Sequence, residues 1–153
     1  MKTICHIDRE EDPLNVLPNV IAGSYYSVEK MITVHDVDIL VPLDTLPSEV
    51  DEWGFRGEVI HRFIEDRGAL PIEELQEFIE TLLMHINDNK KIGIFCIGGH
   101  GRTGYVLSCL IARMGHTDSV IDHVRKIYCH KAVESQEQED SIAEYISLLR
   151  GRT

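Results

Sequence analysis

The chain has 153 residues and a net charge of −11, from 15 basic and 26 acidic side chains. That length suits one domain with a single core, and so acidic a surface argues against nucleic acid and anionic membranes, whose binding rests on basic patches. A hydrophobic share of 43% against 27% charged residues fits an ordinary globular protein, and no apolar run approaches the roughly 20 residues of a membrane span. Near Met1 no long apolar segment of the secretory kind is found, so the expected location is cytoplasmic and the expected state monomeric. Cys5, Cys96, Cys109 and Cys129 lie far apart without Cys-x-x-Cys spacing. They therefore suggest neither a disulfide framework nor a zinc site, and no metal or cofactor is expected.

Met1 to Leu17, acidic and carrying Pro13, reads as an edge strand or lead-in. Asn19 to Gly23 predicts a short strand, and Ser27 to His35 a short helix with Ser27 as N-cap. Asp38 to Asp44 is a nearly continuous apolar run ending in an aspartate, the pattern of a buried parallel strand. Ser48 to Gly54 suggests another short helix with Trp53 in the core, and Gly57 to Ile64 a further strand. A polar loop, Glu65 to Pro71, follows, with Pro71 suited to the first position of the next helix. In that helix Ile72, Leu75, Phe78, Ile79, Leu82, Leu83 and Ile86 make one apolar face, and Asn87-Asp88-Asn89 ends it. Lys91 to Phe95 predicts the central strand and Tyr105 to Met114 a helix apolar around most of its circumference. Two more helices follow, one around Val120 to Tyr128 and one from Ser135 to Leu149, where Ser135 and Gln138 have capping-box spacing. Strands alternating with helices imply a single α/β domain over residues 1–153, its mostly parallel sheet flanked by helices.

Between the central strand and its helix lies Cys96-Ile97-Gly98-Gly99-His100-Gly101-Arg102-Thr103-Gly104. A strand, a glycine loop and a helix N-terminus form a nest of backbone N–H groups, which is an anion site. Gly98, Gly99 and Gly101 suit the positive φ and close approach that converging amides require. Arg102 offers a planar fork matched to two phosphate oxygens, and Thr103 places a hydroxyl near the sulfur. A thiolate is the nucleophilic form of cysteine, and both a helix N-terminus and an adjacent cation favour it. Apolar packing explains neither the glycines nor the arginine, whereas Cys109, within an apolar helix, reads as a small core residue.

Cys96 to Gly104, with the strand before it and the buried helix after it, resembles the signature of the cysteine-dependent protein tyrosine phosphatases. The compact dual-specificity branch, with its small prokaryotic members, is the nearest in pattern. The resemblance implies a phosphate held by Arg102 and the amides of Ile97, Gly98, Gly99, His100, Gly101 and Arg102. It implies a general acid about thirty residues upstream, where Asp66 stands, with Glu65 and Asp44 as competing carboxylates and an ordinary turn as the plainer role. The stretch from Ala132 to Glu139 resembles the segment that supplies a water-positioning glutamine, so Gln138 is a candidate for that task as well as for the capping box. The catalytic set is then Cys96, Arg102, Asp66, Thr103 and Gln138, acting through a cysteinyl-phosphate without a metal. His100 reads as a rim residue, and Tyr25 and Tyr26 as packing.

One departure stands out. The family usually has histidine before the nucleophile, and this chain has Phe95, which predicts a weaker thiolate and a higher pH optimum or lower rate. The implied substrates are phosphotyrosine and, through a shallow pocket, phosphoserine or phosphothreonine in proteins with basic flanks. Three alternatives stay open: a non-protein substrate such as a phosphoinositide or an RNA 5′-triphosphate, a phosphate-binding module with little turnover, and, more distantly, a sulfurtransferase of the rhodanese kind.

Overall fold

A computed structural model describes residues 12–151; the lead-in before Asp12, with Cys5, lies outside the described residues. A five-stranded sheet runs through the middle in the order β1-β2-β5-β3-β4. Its strands are β1 (Leu14–Leu17), β2 (Val20–Ser24), β3 (Ile39–Pro42), β4 (Glu58–Val59) and β5 (Ile92–Cys96). Only β1 is antiparallel, as an edge hairpin partner of β2; β2, β5, β3 and β4 are parallel. The helices are α1 (Val28–Thr33), α2 (Ile72–Asn87), α3 (Gly101–Arg113), α4 (Val120–Ile127) and α5 (Gln136–Arg150).

The two-residue period of a strand divides the core between the two faces of the sheet. Val20, Ala22, Ile39, Val41, Ile92, Ile94 and Cys96 belong to the larger cluster, with the apolar faces of α2, α3, α4 and α5. Ile21, Leu40 and Phe95 belong to the smaller cluster, under α1 and Phe55. Adjacent residues of β5 thus serve opposite layers. Phe95 packs on the α1 side, and Cys96 on the side of the four larger helices.

Several boundaries differ from the sequence expectation. The cap near Ser27 is shifted: Ser24 caps a short 3-10 turn, Tyr25–Ser27, in a reciprocal capping box with Ser27, and α1 follows without a side-chain cap of its own. Ser48 to Gly54 forms successive turns instead of a helix, ending at Gly54 with φ +87°. Trp53 there is half-buried, and Phe55 fills the core place expected for it. The strand expected from Gly57 to Ile64 pairs formally only at Glu58–Val59, but Ile60 and Arg62 still donate to the Leu40 and Pro42 carbonyls. Pro71 is the N-cap of α2, one position before the expected one, and its carbonyl accepts from Leu75 N–H.

The largest shift is in α3, which starts at Gly101 rather than Tyr105. Gly104 therefore lies inside the helix, where a Cβ would lie 2.5 Å from the Cβ of Ala132. The segment before α5 packs directly against the backbone of α3, which is buried from Gly101 through Ala112.

Candidate active site

Cys96 ends β5, on the edge where parallel strands of open α/β sheets present their ligand sites. The chain then turns through Ile97 to His100 into α3. Gly99 has φ +73°, a left-handed conformation that favours glycine, and its N–H points to Cys96 Sγ at 3.2 Å. The Gly99 carbonyl accepts a hydrogen bond from the buried Tyr128 hydroxyl, which fixes the turn from behind. Thr103 Oγ1 lies 3.2 Å from Cys96 Sγ and 3.4 Å from the Gly23 carbonyl, so its one proton has two acceptors. A backbone N–H and a hydroxyl are thus both aimed at the sulfur.

The other loop glycines have different reasons. Gly101 does not have positive φ; a Cβ there would lie 2.7 Å from Glu134 Oε1, so that side chain would have to shift. At Gly98 a Cβ would meet only His100 Cδ2 at 3.4 Å, so this geometry does not demand glycine there. His100 is half-buried, with Nδ1 3.4 Å from Cys129 Sγ.

Arg102 is almost fully buried, and its guanidinium is held in two directions. Nη1 donates to Asp44 Oδ2 at 3.2 Å and to the Ile64 carbonyl at 3.0 Å. Nη2 lies 3.8 Å from Asp66 Oδ1, whose side chain is 81% exposed. Asp66 is therefore brought to the arginine, on the polar loop leading to α2. Asp44, weighed in the sequence as a competing acid, accepts from the guanidinium two residues past the end of β3.

Gln138 lies between the acid loop and the segment before α5. It is fully buried, and both ends of its amide are bonded within the protein: Oε1 accepts from Glu134 N–H at 2.8 Å and Nε2 donates to the Gly68 carbonyl at 3.2 Å. These two bonds use one of the amide's two acceptor positions and one of its two N–H donors. Half of the capping box is present, since Ser135 Oγ accepts from Gln138 N–H at 3.1 Å, but the glutamine side chain does not return to Ser135. Sequence reasoning also missed Glu134, whose Oε1 accepts from the Gly101 N–H at 2.6 Å. The favourable field of a helix N-terminus explains a carboxylate there. The only local signal was an acidic residue next to an N-cap serine, which is too common to be diagnostic.

Among the described residues no cluster of His, Cys, Asp and Glu has the arrangement of a metal site. Cys109 and Tyr105 are buried in α3, and burial pushes the proton affinity of both up. Cys109 is thereby kept as a neutral thiol, as its place in an apolar helix suggested.

A cysteine at the end of a central parallel strand, an amide-lined loop closed by arginine and a buried helix behind it are the architecture of the dual-specificity class of cysteine-dependent phosphatases. The chain belongs to the family described as Swiss Army Knife protein, DSP-PTPase phosphatase domain (PTP-SAK), whose model matches residues 36–151. Two uncharacterised proteins of Methanocaldococcus jannaschii are 34% identical over 98 residues and 35% identical over 100, covering 64% and 65% of this chain. Cyclin-dependent kinase inhibitor 3 of Sus scrofa is 30% identical over 104 residues, 65% of this chain. The matched regions span 66%, 62% and 49% of those three relatives, so this chain corresponds to two thirds of their length or less. Among solved structures, Tk-PTP in the active form superposes with a TM-score of 0.77 at 28% identity, covering 89% of this chain and 97% of that one.

Proposed function

We propose that this chain is a phosphomonoester hydrolase acting on phosphotyrosine, phosphoserine and phosphothreonine in proteins through a cysteinyl-phosphate intermediate. The observation that carries the reading is the sulfur of Cys96 under two donors, Gly99 N–H and Thr103 Oγ1–H, each at 3.2 Å, at the mouth of an amide-lined loop. In the first step the sulfur electron pair forms the S–P bond as the ester P–O bond breaks. Asp66, protonated, gives its proton to the departing oxygen. Arg102 and the amides from Ile97 to Arg102 take the charge of the transferring phosphoryl group, so positioning and electrostatics supply most of the acceleration. In the second step water attacks phosphorus, the S–P bond breaks, and the water proton goes to the Asp66 carboxylate. Thr103 stabilises the thiolate as leaving group.

A protein substrate is favoured by the surroundings of the acid loop. A groove of about 590 Å³ runs between Ala69–Ile72 and α5, and Glu137, Asp140 and Glu144 line it. With a net charge of −11, this surface attracts basic residues flanking a phosphorylated side chain and repels polyanions such as RNA or phosphoinositide membranes. The test is a panel of phosphopeptides carrying phosphotyrosine, phosphoserine or phosphothreonine between basic or acidic flanks, with a phosphoinositide and a 5′-triphosphorylated RNA alongside. Preferential turnover of the basic-flanked peptides, abolished by Cys96→Ser, is expected. Faster turnover of the lipid or RNA would reject a protein substrate, and binding without turnover would reject the enzyme.

A further inference from the structure

The buried amide of Gln138 joins parts of the chain that are far apart in sequence. On one side it donates to the Gly68 carbonyl, two residues past Asp66. Ser135 adds a second tie, its hydroxyl donating to the Arg67 carbonyl at 2.6 Å. On the other side Gln138 accepts from Glu134 N–H, and the Glu134 carboxylate accepts from Gly101 N–H in the phosphate loop. A continuous chain of hydrogen bonds therefore runs from the acid loop through Gln138 to the phosphate loop.

The backbone on both sides of this link is held in an uncommon state. Arg67 has φ +64° and Val133 φ +63°, the latter costly for a β-branched residue and sustained only by its surroundings. At Val133 the surroundings include Arg125, which donates to the Ala132 carbonyl at 2.8 Å and the Val133 carbonyl at 2.9 Å. Tyr105 holds the far end of the acid loop, its hydroxyl accepting from Leu70 N–H at 3.1 Å. Asp66 itself makes no side-chain hydrogen bond among the described residues, only its 3.8 Å approach to Arg102. The backbone just behind it must then set where its carboxyl goes.

We infer that Gln138 is a positioning residue: by bracing the acid loop against the phosphate loop, it fixes the approach of Asp66 to the leaving oxygen. The inference rests on the reading that Cys96 attacks phosphorus and Asp66 protonates the leaving group. It assigns the glutamine to the first chemical step, whereas a water-positioning residue would act in the second.

The two steps can be separated kinetically. The ratio kcat/KM reports events up to departure of the leaving group, whereas hydrolysis of the intermediate affects kcat alone. Phenyl phosphate releases a phenol of pKa about 10, close to that of tyrosine, and depends on protonation. p-Nitrophenyl phosphate releases a stabilised phenolate that needs little help. Gln138→Leu keeps the volume and removes both bonds. It is expected to lower kcat/KM for phenyl phosphate by about tenfold to a hundredfold, part of the roughly hundredfold to ten-thousandfold that a general acid contributes, and for p-nitrophenyl phosphate by less than about threefold. The fall in rate at high pH, which reports the protonated acid, should weaken in parallel.

Equal losses on both substrates, or an unchanged kcat/KM with a lower kcat and a burst of nitrophenolate, would overturn the inference. If Gln138→Leu does not fold, Ser135→Ala removes the tie to Arg67 and must show the same selectivity for phenyl phosphate; equal losses there would overturn it too. A wild-type protein without turnover would instead refute the underlying phosphatase reading, and the inference with it. The first two results leave that reading intact.

Discussion

Removing the carboxylate of Asp44 tests whether Arg102 is held in place before substrate arrives. The Arg102 side chain is 7% exposed and that of Asp44 27%, with 3.2 Å between Nη1 and Oδ2. Without Asp44 the guanidinium keeps the Ile64 carbonyl and a distant Asp66. A hydrogen bond to a charged group is worth about 1.5–3 kcal/mol, and partial exposure of Asp44 brings the expected cost of Asp44→Ala to about 1–2 kcal/mol. For a chain of this size that is a fall in Tm of roughly 2–8 °C. Activity should suffer more, since a displacement of about 1 Å in a catalytic group can cost on the order of a hundredfold. Asp44→Asn retains an acceptor and should recover most of both losses. Differential scanning calorimetry and steady-state kinetics with p-nitrophenyl phosphate check this. An Asp44→Ala protein with wild-type Tm and kcat/KM would refute the orienting role. Loss of the high-pH limb of the rate profile in Asp44→Asn would make Asp44, not Asp66, the general acid.

Two further outcomes follow from the packing. Phe95 is fully buried in the layer with Ile21, Leu40 and Met31, so Phe95→His places an imidazole in an apolar site and should cost about 1–3 kcal/mol in urea unfolding; an unchanged midpoint would show that a polar partner exists there. Burial holds the Cys109 thiol and Tyr105 phenol protonated in the folded state, while the unfolded chain ionises them above their ordinary values of 9.0 and 10.0. The unfolded state then binds fewer protons, so stability should fall as pH rises through this range, by up to about 1.4 kcal/mol per pH unit for each group. Thermal melts of wild type and Cys109→Ala between pH 8 and 11, a range chosen to cover both ordinary values, should show a shallower decline in the variant; parallel curves would contradict the assignment.

The strand Ile92 to Cys96, Gly99 and Arg102 were legible in sequence because their constraints are local: an apolar run, a left-handed turn and a guanidinium after it. The apolar face of α2 was legible for the same reason. Features set by long-range approach were not. Gly104 and Gly101 read as loop glycines, yet they belong to α3, where Ala132 and Glu134 sit against them. The turn at Ser48–Gly54 looked helical because so short a segment cannot establish a period, and its one helix-like bond, Trp53 N–H to the Glu49 carbonyl, is followed by turn bonds to Asp51 and Val50. Gln138 offered two local readings, and its side chain follows a third, toward Gly68 and Glu134. Asp44 was visible as a strand-end carboxylate, but its choice of Arg102 depended on the parallel register of β3 and β5, which brings the ends of both strands together.

The central claim is that Cys96 becomes phosphorylated during turnover. Acid-quenching the protein during hydrolysis of p-nitrophenyl phosphate, followed by peptide mass spectrometry, measures this directly. One phosphoryl group on the peptide bearing Cys96, absent from Cys96→Ser together with turnover, is the expected result. A phosphoryl group on another residue, or undiminished turnover by Cys96→Ser, would contradict the account.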